Sequence, residues 1–124
     1  MVQIGRPFRL LIVEDEYVIA LLIEQIARNA GWRVVGPAPD LEKALALVEN
    51  SDLDGAVLDI HLGANERSLS VAESLRDSGV PFIFATGLGP LEYRLGFEDT
   101  PVLFKPFGNQ ELVTAVRKHL MKEG

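Results

Sequence analysis

Val57-Leu58-Asp59-Ile60-His61-Leu62 sets one carboxylate at the end of an apolar run. Two other runs share the design. Leu10-Leu11-Ile12-Val13 leads into Glu14-Asp15, and Val102-Leu103-Phe104 leads into Lys105-Pro106. Continuous apolar runs of this length suit strands buried on both faces, as in a parallel sheet. If the three runs are parallel strands, three carboxylates and one ammonium meet at one edge of that sheet.

The segments between these runs support parallel pairing. From Glu16 to Ala30, apolar residues recur at Ile19, Leu22, Ile23, Ile26, Ala27 and Ala30, a helical stripe closed by Gly31. Arg33–Gly36 reads as a short second strand broken by Pro37 and Pro39. Asp40 is a good N-cap for a helix carrying Leu41, Ala44, Leu45 and Val48 on one face. Gly55–Ile60 is the third strand. A third helix carries Leu69, Ala72 and Leu75 and ends near Gly79. Pro81–Ala85 is a fourth strand, with proline where a strand tolerates it. A short helix over Pro90–Leu95 precedes the fifth strand, Val102–Phe104. Asn109 is placed to cap a last helix with Leu112, Val113, Val116 and Leu120. Phe82, Phe84 and Phe104 read as core, Trp32 as packing at the entry to the second strand, and Asn65-Glu66-Arg67 as a loop.

Five strands alternating with helices describe an α/β sandwich with helices on both faces of a parallel sheet. In doubly wound sheets, ligands bind outside the carboxyl ends of the strands, where the strand order reverses. The chemically able residues follow strands 1, 3, 4 and 5, whereas strand 2 ends in Gly and Pro. A flavodoxin-like order 2-1-3-4-5 accounts for this, because strand 2 then lies at an edge and strands 1 and 3 flank the reversal. The expected organisation is a lead-in over residues 1–7, one domain over 8–121 and a tail over 122–124.

Composition narrows the function classes. The 124 residues are 48% hydrophobic and 24% charged, with a net charge of −6. That balance suits a globular domain and disfavours direct nucleic-acid binding, which needs a basic footprint. The chain has no cysteine, so disulfides, thiolate catalysis and thiolate metal sites are excluded. A cysteine-free chain fits a cytoplasmic location. No apolar stretch approaches the ~18 residues of a membrane span.

At the expected edge, Glu14, Asp15 and Asp59 would repel one another if left bare, and a hard divalent cation removes the conflict. Mg²⁺ takes oxygen ligands, commonly one or two carboxylates with waters and phosphate oxygens. Without thiolates or paired imidazoles the set does not suit zinc. Asp59 is the best nucleophile, since a carboxylate at a central strand end can form an acyl phosphate. Lys105 supplies a cation to phosphoryl oxygens and Thr86 a hydroxyl donor. The Lys105-Pro106 bond is expected to be cis, in a tight turn after a strand.

Glu14-Asp15, Asp59, Thr86 and Lys105-Pro106, in this order and spacing, resemble the receiver domain of two-component response regulators, over about Phe8 to Leu120. The resemblance implies a flavodoxin-like (βα)₅ fold. It implies Mg²⁺ held by Asp15, Asp59 and the His61 backbone carbonyl, with Glu14 in the outer shell. It implies phosphorylation of Asp59 by a sensor histidine kinase or a phosphotransfer protein, with Thr86 and Lys105 reporting the phosphoryl group. The protein would then be a phosphorylatable switch or phosphate relay, catalysing only its own phosphorylation and dephosphorylation. The last helix lies close to Gly124: if this is the full protein, it is expected to act as a single-domain regulator through contacts or as a phosphate relay or sink, and if it is a piece of a longer chain, an effector is missing from it.

Two features depart from the usual pattern. Most receivers carry an aromatic residue three positions before the lysine, where this chain has Val102. Phe84-Ala85-Thr86-Gly87 resembles an atypical subgroup associated with kinases of the HWE/HisKA2 type, although Leu88-Gly89 stands where that signature continues to a tyrosine. The rival readings are a small Mg-dependent phosphohydrolase with an aspartyl nucleophile and a binding module that works without phosphorylation. The first wants a second aspartate where His61 stands. The intact acidic set argues against the second. A flavin carrier is disfavoured, because Glu14-Asp15-Glu16 occupies the turn where a phosphate cradle would lie.

Overall fold

The computed structural model describes residues 6–62, 66–87 and 96–121. In chain order the elements are β1 (Arg9–Val13), α1 (Tyr17–Asn29), β2 (Arg33–Ala38), α2 (Leu41–Asn50), β3 (Gly55–Asp59), β4 (His61–Leu62), β5 (Glu66–Arg67), α3 (Leu69–Asp77), β6 (Phe82–Thr86), β7 (Val102–Phe104) and α4 (Asn109–His119). The helix expected over Pro90–Leu95 lies outside the described residues.

Five strands form one parallel sheet in the order β2-β1-β3-β6-β7. Numbered without the two-residue pair β4-β5, this is the expected 2-1-3-4-5. The short pair is a correction: Glu66-Arg67, expected as loop, pairs antiparallel with His61-Leu62. That arm lies just beyond Asp59.

Alternation of side chains along the strands builds both layers. Leu11, Val13, Ala56, Leu58, Phe82 and Phe84 pack with Ala44, Val48, Val71, Ala72 and Leu75, under α2 and α3. Leu10, Ile12, Val57, Ile83 and Ala85 pack with Ile23, Ile26, Ala27, Leu112, Val116 and Leu120, under α1 and α4. Trp32 is buried and tilts against Phe8, with ring centroids 6.0 Å apart, at the entry to β2 as expected. Phe104 departs from expectation: at the end of edge strand β7 it is 53% exposed. The aromatic core instead joins Phe82 and Phe84 to Phe97, with centroids 5.7–6.2 Å apart.

Two boundaries are corrected. β2 runs through Pro37 to Ala38, because a bulge moves the register from Leu11↔Val35 to Val13↔Ala38. Gly36 makes the bulge possible at φ +94°, and a Cβ there would meet Ala38 N at 2.8 Å and the Ile12 carbonyl oxygen at 3.0 Å. The restored ladder lets Glu14 N donate to the Ala38 carbonyl at 3.0 Å, which holds the first acidic residue in place. At α4 the cap is Gly108 rather than Asn109. Glycine brings no capping side chain, and the Glu111 carboxylate reaches back to accept from Gly108 N at 2.8 Å. Asp40 caps α2 as expected, accepting from Lys43 N at 2.9 Å. Gly31 closes α1 at φ +87°.

Candidate functional site

Glu14, Asp59 and Lys105 share the parity of Ile12, Val57 and Leu103, residues that face the α1/α4 layer. Strand alternation therefore turns all three side chains to the same side at the carboxyl edge of the sheet. Register completes the convergence. Asp59 pairs with Ala85 and Thr86 with Phe104, and Lys105 N donates to the Thr86 carbonyl at 2.7 Å. The Lys105-Pro106 peptide is cis, as expected, and so is Gly36-Pro37.

A cleft of about 280 Å³ opens there, lined by Asp15, Glu16, Asp59, His61, Thr86, Gly87 and Lys105. Glu14 lies beneath it, 2% exposed; Asp59 and Thr86 are also buried, whereas Asp15 and Glu16 are exposed. Lys105 Nζ sits among three carboxylates: Glu14 Oε1 at 2.7 Å, Asp59 Oδ2 at 3.3 Å and Glu16 Oε1 at 3.6 Å. It donates to Asp59 Oδ2, and His61 N approaches Asp59 Oδ1 at 3.3 Å. Glu16 N donates to Glu14 Oε2 at 3.2 Å. Thus β1, β3, β7 and the start of α1 are tied together through side chains at the site.

Burial pushes the Glu14 carboxyl up to about 7; the Lys105 contact pulls it down and the Asp59 charge adds to the rise. Burial works against the Lys105 ammonium, but Glu14 and Asp59 together outweigh it and raise its pKa. The two shifts point to different charge states for one contact, Glu14 toward neutral and Lys105 toward a firm cation. Geometry favours a charged lysine beside a carboxyl that is easily protonated. Glu14 Oε1 is buried without an aligned hydrogen bond, despite its short distance to Nζ. The ammonium has a second acceptor, while that oxygen has no other partner among the described groups.

Glu14, Asp15 and Asp59 each offer an oxygen, all within 4.8 Å of one another. Hard oxygen donors, repulsion among carboxylates and a buried oxygen without an aligned donor fit a hard divalent cation. Every residue singled out from the sequence, Glu14, Asp15, Asp59, His61, Thr86 and Lys105, comes to this place. Glu16 joins them without belonging to the motif. The only signal for it was its position directly after the acidic pair.

The response regulator receiver domain model matches residues 10–117. The chain is 31% identical over 97% of its length to the "Probable transcriptional regulatory protein TcrX" of Mycobacterium tuberculosis, covering 53% of that protein. It therefore spans about half the length of the curated relatives it matches. Among solved structures, SdrG from Sphingomonas melonis is 36% identical, with TM-score 0.77 over 91% of this chain and 96% of that one. A response regulator receiver protein from Sinorhizobium medicae is 28% identical, with TM-score 0.79 over 90% and 93%.

Proposed function

Because the chain belongs to the response regulator receiver family, we propose that Asp59 accepts a phosphoryl group from a sensor histidine kinase or a phosphotransfer protein. The observation that carries this reading is the seat of Asp59. Its carboxylate is buried at the inner end of a small cleft, with a lysine 3.3 Å away and two further carboxylates within cation-binding reach.

A carboxylate oxygen of Asp59 bonds to phosphorus as the bond between phosphorus and the donor breaks, and the donor leaves with that electron pair. Transfer of this kind depends on positioning and charge stabilisation more than on covalent help. The His61 amide and Lys105 orient the acceptor carboxylate. Lys105 is close enough to turn toward the new phosphoryl oxygens, and Thr86, on the cleft wall, offers its hydroxyl to them. Mg²⁺ would be held by Asp15, Asp59 and the His61 carbonyl, with Glu14 in the outer shell, and would supply charge neutralisation for the incoming phosphoryl group.

The protein acts as a signalling switch or relay in the cytoplasm rather than as a turnover enzyme. No helix of the described residues is long and apolar enough to cross a membrane. The Phe84-Ala85-Thr86-Gly87 run favours a kinase of the HWE/HisKA2 type. Intact-mass measurement after acetyl phosphate with Mg²⁺ tests the assignment. Wild type should gain one phosphoryl group, lost on chelation of the metal beforehand and absent from Asp59→Asn. Labelling of Asp59→Asn at the wild-type level would overturn it.

A further inference from the structure

Among the described residues, Glu16 is the one cleft carboxylate that neither closes the buried layer nor belongs to the metal-ligand cluster. It occupies the cap position of α1 without making a side-chain cap. Its side chain is 65% exposed, yet it reaches Lys105 Nζ at 3.6 Å from the solvent side. Lys105, at 12% exposure, is thus approached from beneath by Glu14 and from the opening by Glu16. An exposed pair of this kind adds little to stability. Its charge lies where an incoming donor must pass, beside the cation that must meet the phosphoryl oxygens.

We propose that Glu16 is a specificity-determining residue whose carboxylate makes the cleft discriminate among phosphoryl donors by charge, disfavouring free dianionic acyl phosphates relative to phosphoramidate-type donors. This rests on the acceptor role of Asp59. The effect has two parts. Glu16 occupies a share of Lys105, which slows all donors alike. It also repels each donor in proportion to donor charge. At about 7 Å in a water-like medium, one unit of donor charge corresponds to roughly a threefold change in rate. Salt shrinks the second part, because the mouth is open to solvent.

The test compares wild type, Glu16→Gln and Glu16→Asp, with Glu49→Gln on the exposed face of α2 as a remote charge control. Phosphorylation rates are measured with acetyl phosphate and with phosphoramidate at saturating Mg²⁺, at low and high ionic strength. Mn²⁺ affinity is measured separately by electron paramagnetic resonance, which reads the site without any donor. Glu16→Gln should speed both donors at low salt, acetyl phosphate about threefold more than phosphoramidate, with the gap closing at high salt. It should weaken Mn²⁺ binding about twofold to fivefold through lost negative charge. Glu16→Asp, which keeps the charge, should keep the wild-type ratio of rates between the two donors, and the remote Glu49→Gln should stay within about twofold of wild type in rate.

An acetyl phosphate rate that is unchanged or slower in Glu16→Gln overturns the proposal while leaving Asp59 as acceptor. Equal acceleration with both donors at every salt concentration also overturns it, since charge would not be the discriminator. Failure of wild type and variants to label with either donor overturns this proposal and the acceptor assignment together.

Discussion

Lys105 Nζ lies 2.7 Å from Glu14 Oε1, yet that buried oxygen accepts no aligned hydrogen bond. The ammonium is aimed at Asp59 Oδ2, 3.3 Å away. One lysine therefore lies between two carboxylates from neighbouring strands and donates an aligned hydrogen bond to one of them. The site is charged, partly dry and incompletely neutralised, a state that favours uptake of a proton or a divalent cation.

The pH dependence of stability follows from Glu14. Its pKa rises from 4.5 to about 7 on folding, mainly through burial. Between those values the folded chain holds more of a proton than the unfolded chain. The contribution is therefore fully present below 4.5 and is lost as pH rises through about 7. Without metal, wild type should lose stability relative to Glu14→Gln across this window, by up to about 1.4 kcal/mol per pH unit. Urea unfolding of both proteins at several pH values in EDTA reads the slope, and parallel curves would contradict the assignment.

Divalent metal should reverse that loss. Addition of Mg²⁺ at pH 7.5 is expected to raise the melting temperature of wild type, by mass action on the folded state. Asp15→Asn should remove most of the rise, because one of the three clustered oxygen donors loses its charge. Equal shifts in both proteins would place the ion elsewhere.

Removal of the lysine should expose the repulsion it covers. In Lys105→Met, Glu14 and Asp59 face each other without their shared cation. The metal-free protein should be about 1–3 kcal/mol less stable at pH 7.5 and close to wild type at pH 5, where Glu14 can be protonated. Denaturant titration at the two pH values provides the check.

Gly36→Ala tests the bulge that seats Glu14. The positive φ alone costs about 1–2 kcal/mol, and the backbone contacts of the added Cβ at 2.8 and 3.0 Å add to it. Reduced stability should come with weaker Mg²⁺ binding, because the Ala38 carbonyl that receives Glu14 N moves with the bulge. Gly79→Ala gives a comparison, since it shares a positive φ of 74° but has no atom within 4 Å of the new Cβ, and it should lose stability without losing metal affinity.

Phe84 is fully buried and touches both Phe82 and Phe97. Phe84→Ala is expected to cost about 3–5 kcal/mol. Phe104→Ala, at the exposed end of β7, should cost less than about 1 kcal/mol. Thermal unfolding of both variants separates the core ring from the surface ring.

Much of this molecule was legible without coordinates. Apolar runs bounded by acidic or basic ends announced the strands, because strands covered on both faces have little choice but Val, Ile, Leu and Phe. The missing chemistry after the second strand pointed to the sheet order, since that order sets strand 2 at an edge and strands 1 and 3 beside the reversal where ligands bind. Elements that depend on exchange between distant partners were less legible. The course of β2 through Pro37 needed the register with β1, and the α4 cap needed the reach of Glu111 back to Gly108. Phe104 reads as core by residue type, but an edge position decides its exposure.

Local patterning by itself located the five strands of the main sheet and the helices α1, α2, α3 and α4, and put Glu14, Asp15, Asp59, Thr86 and Lys105 at or just beyond the carboxyl ends of their strands. Tertiary structure alone decided how the charges are shared: Lys105 between Glu14 and Asp59, Glu14 sealed below the cleft and Glu16 bent over its opening. The physical reason is range. Strand and helix periodicity is written within a few neighbouring residues, whereas desolvation and Coulomb interaction depend on separations between chain segments that only packing sets.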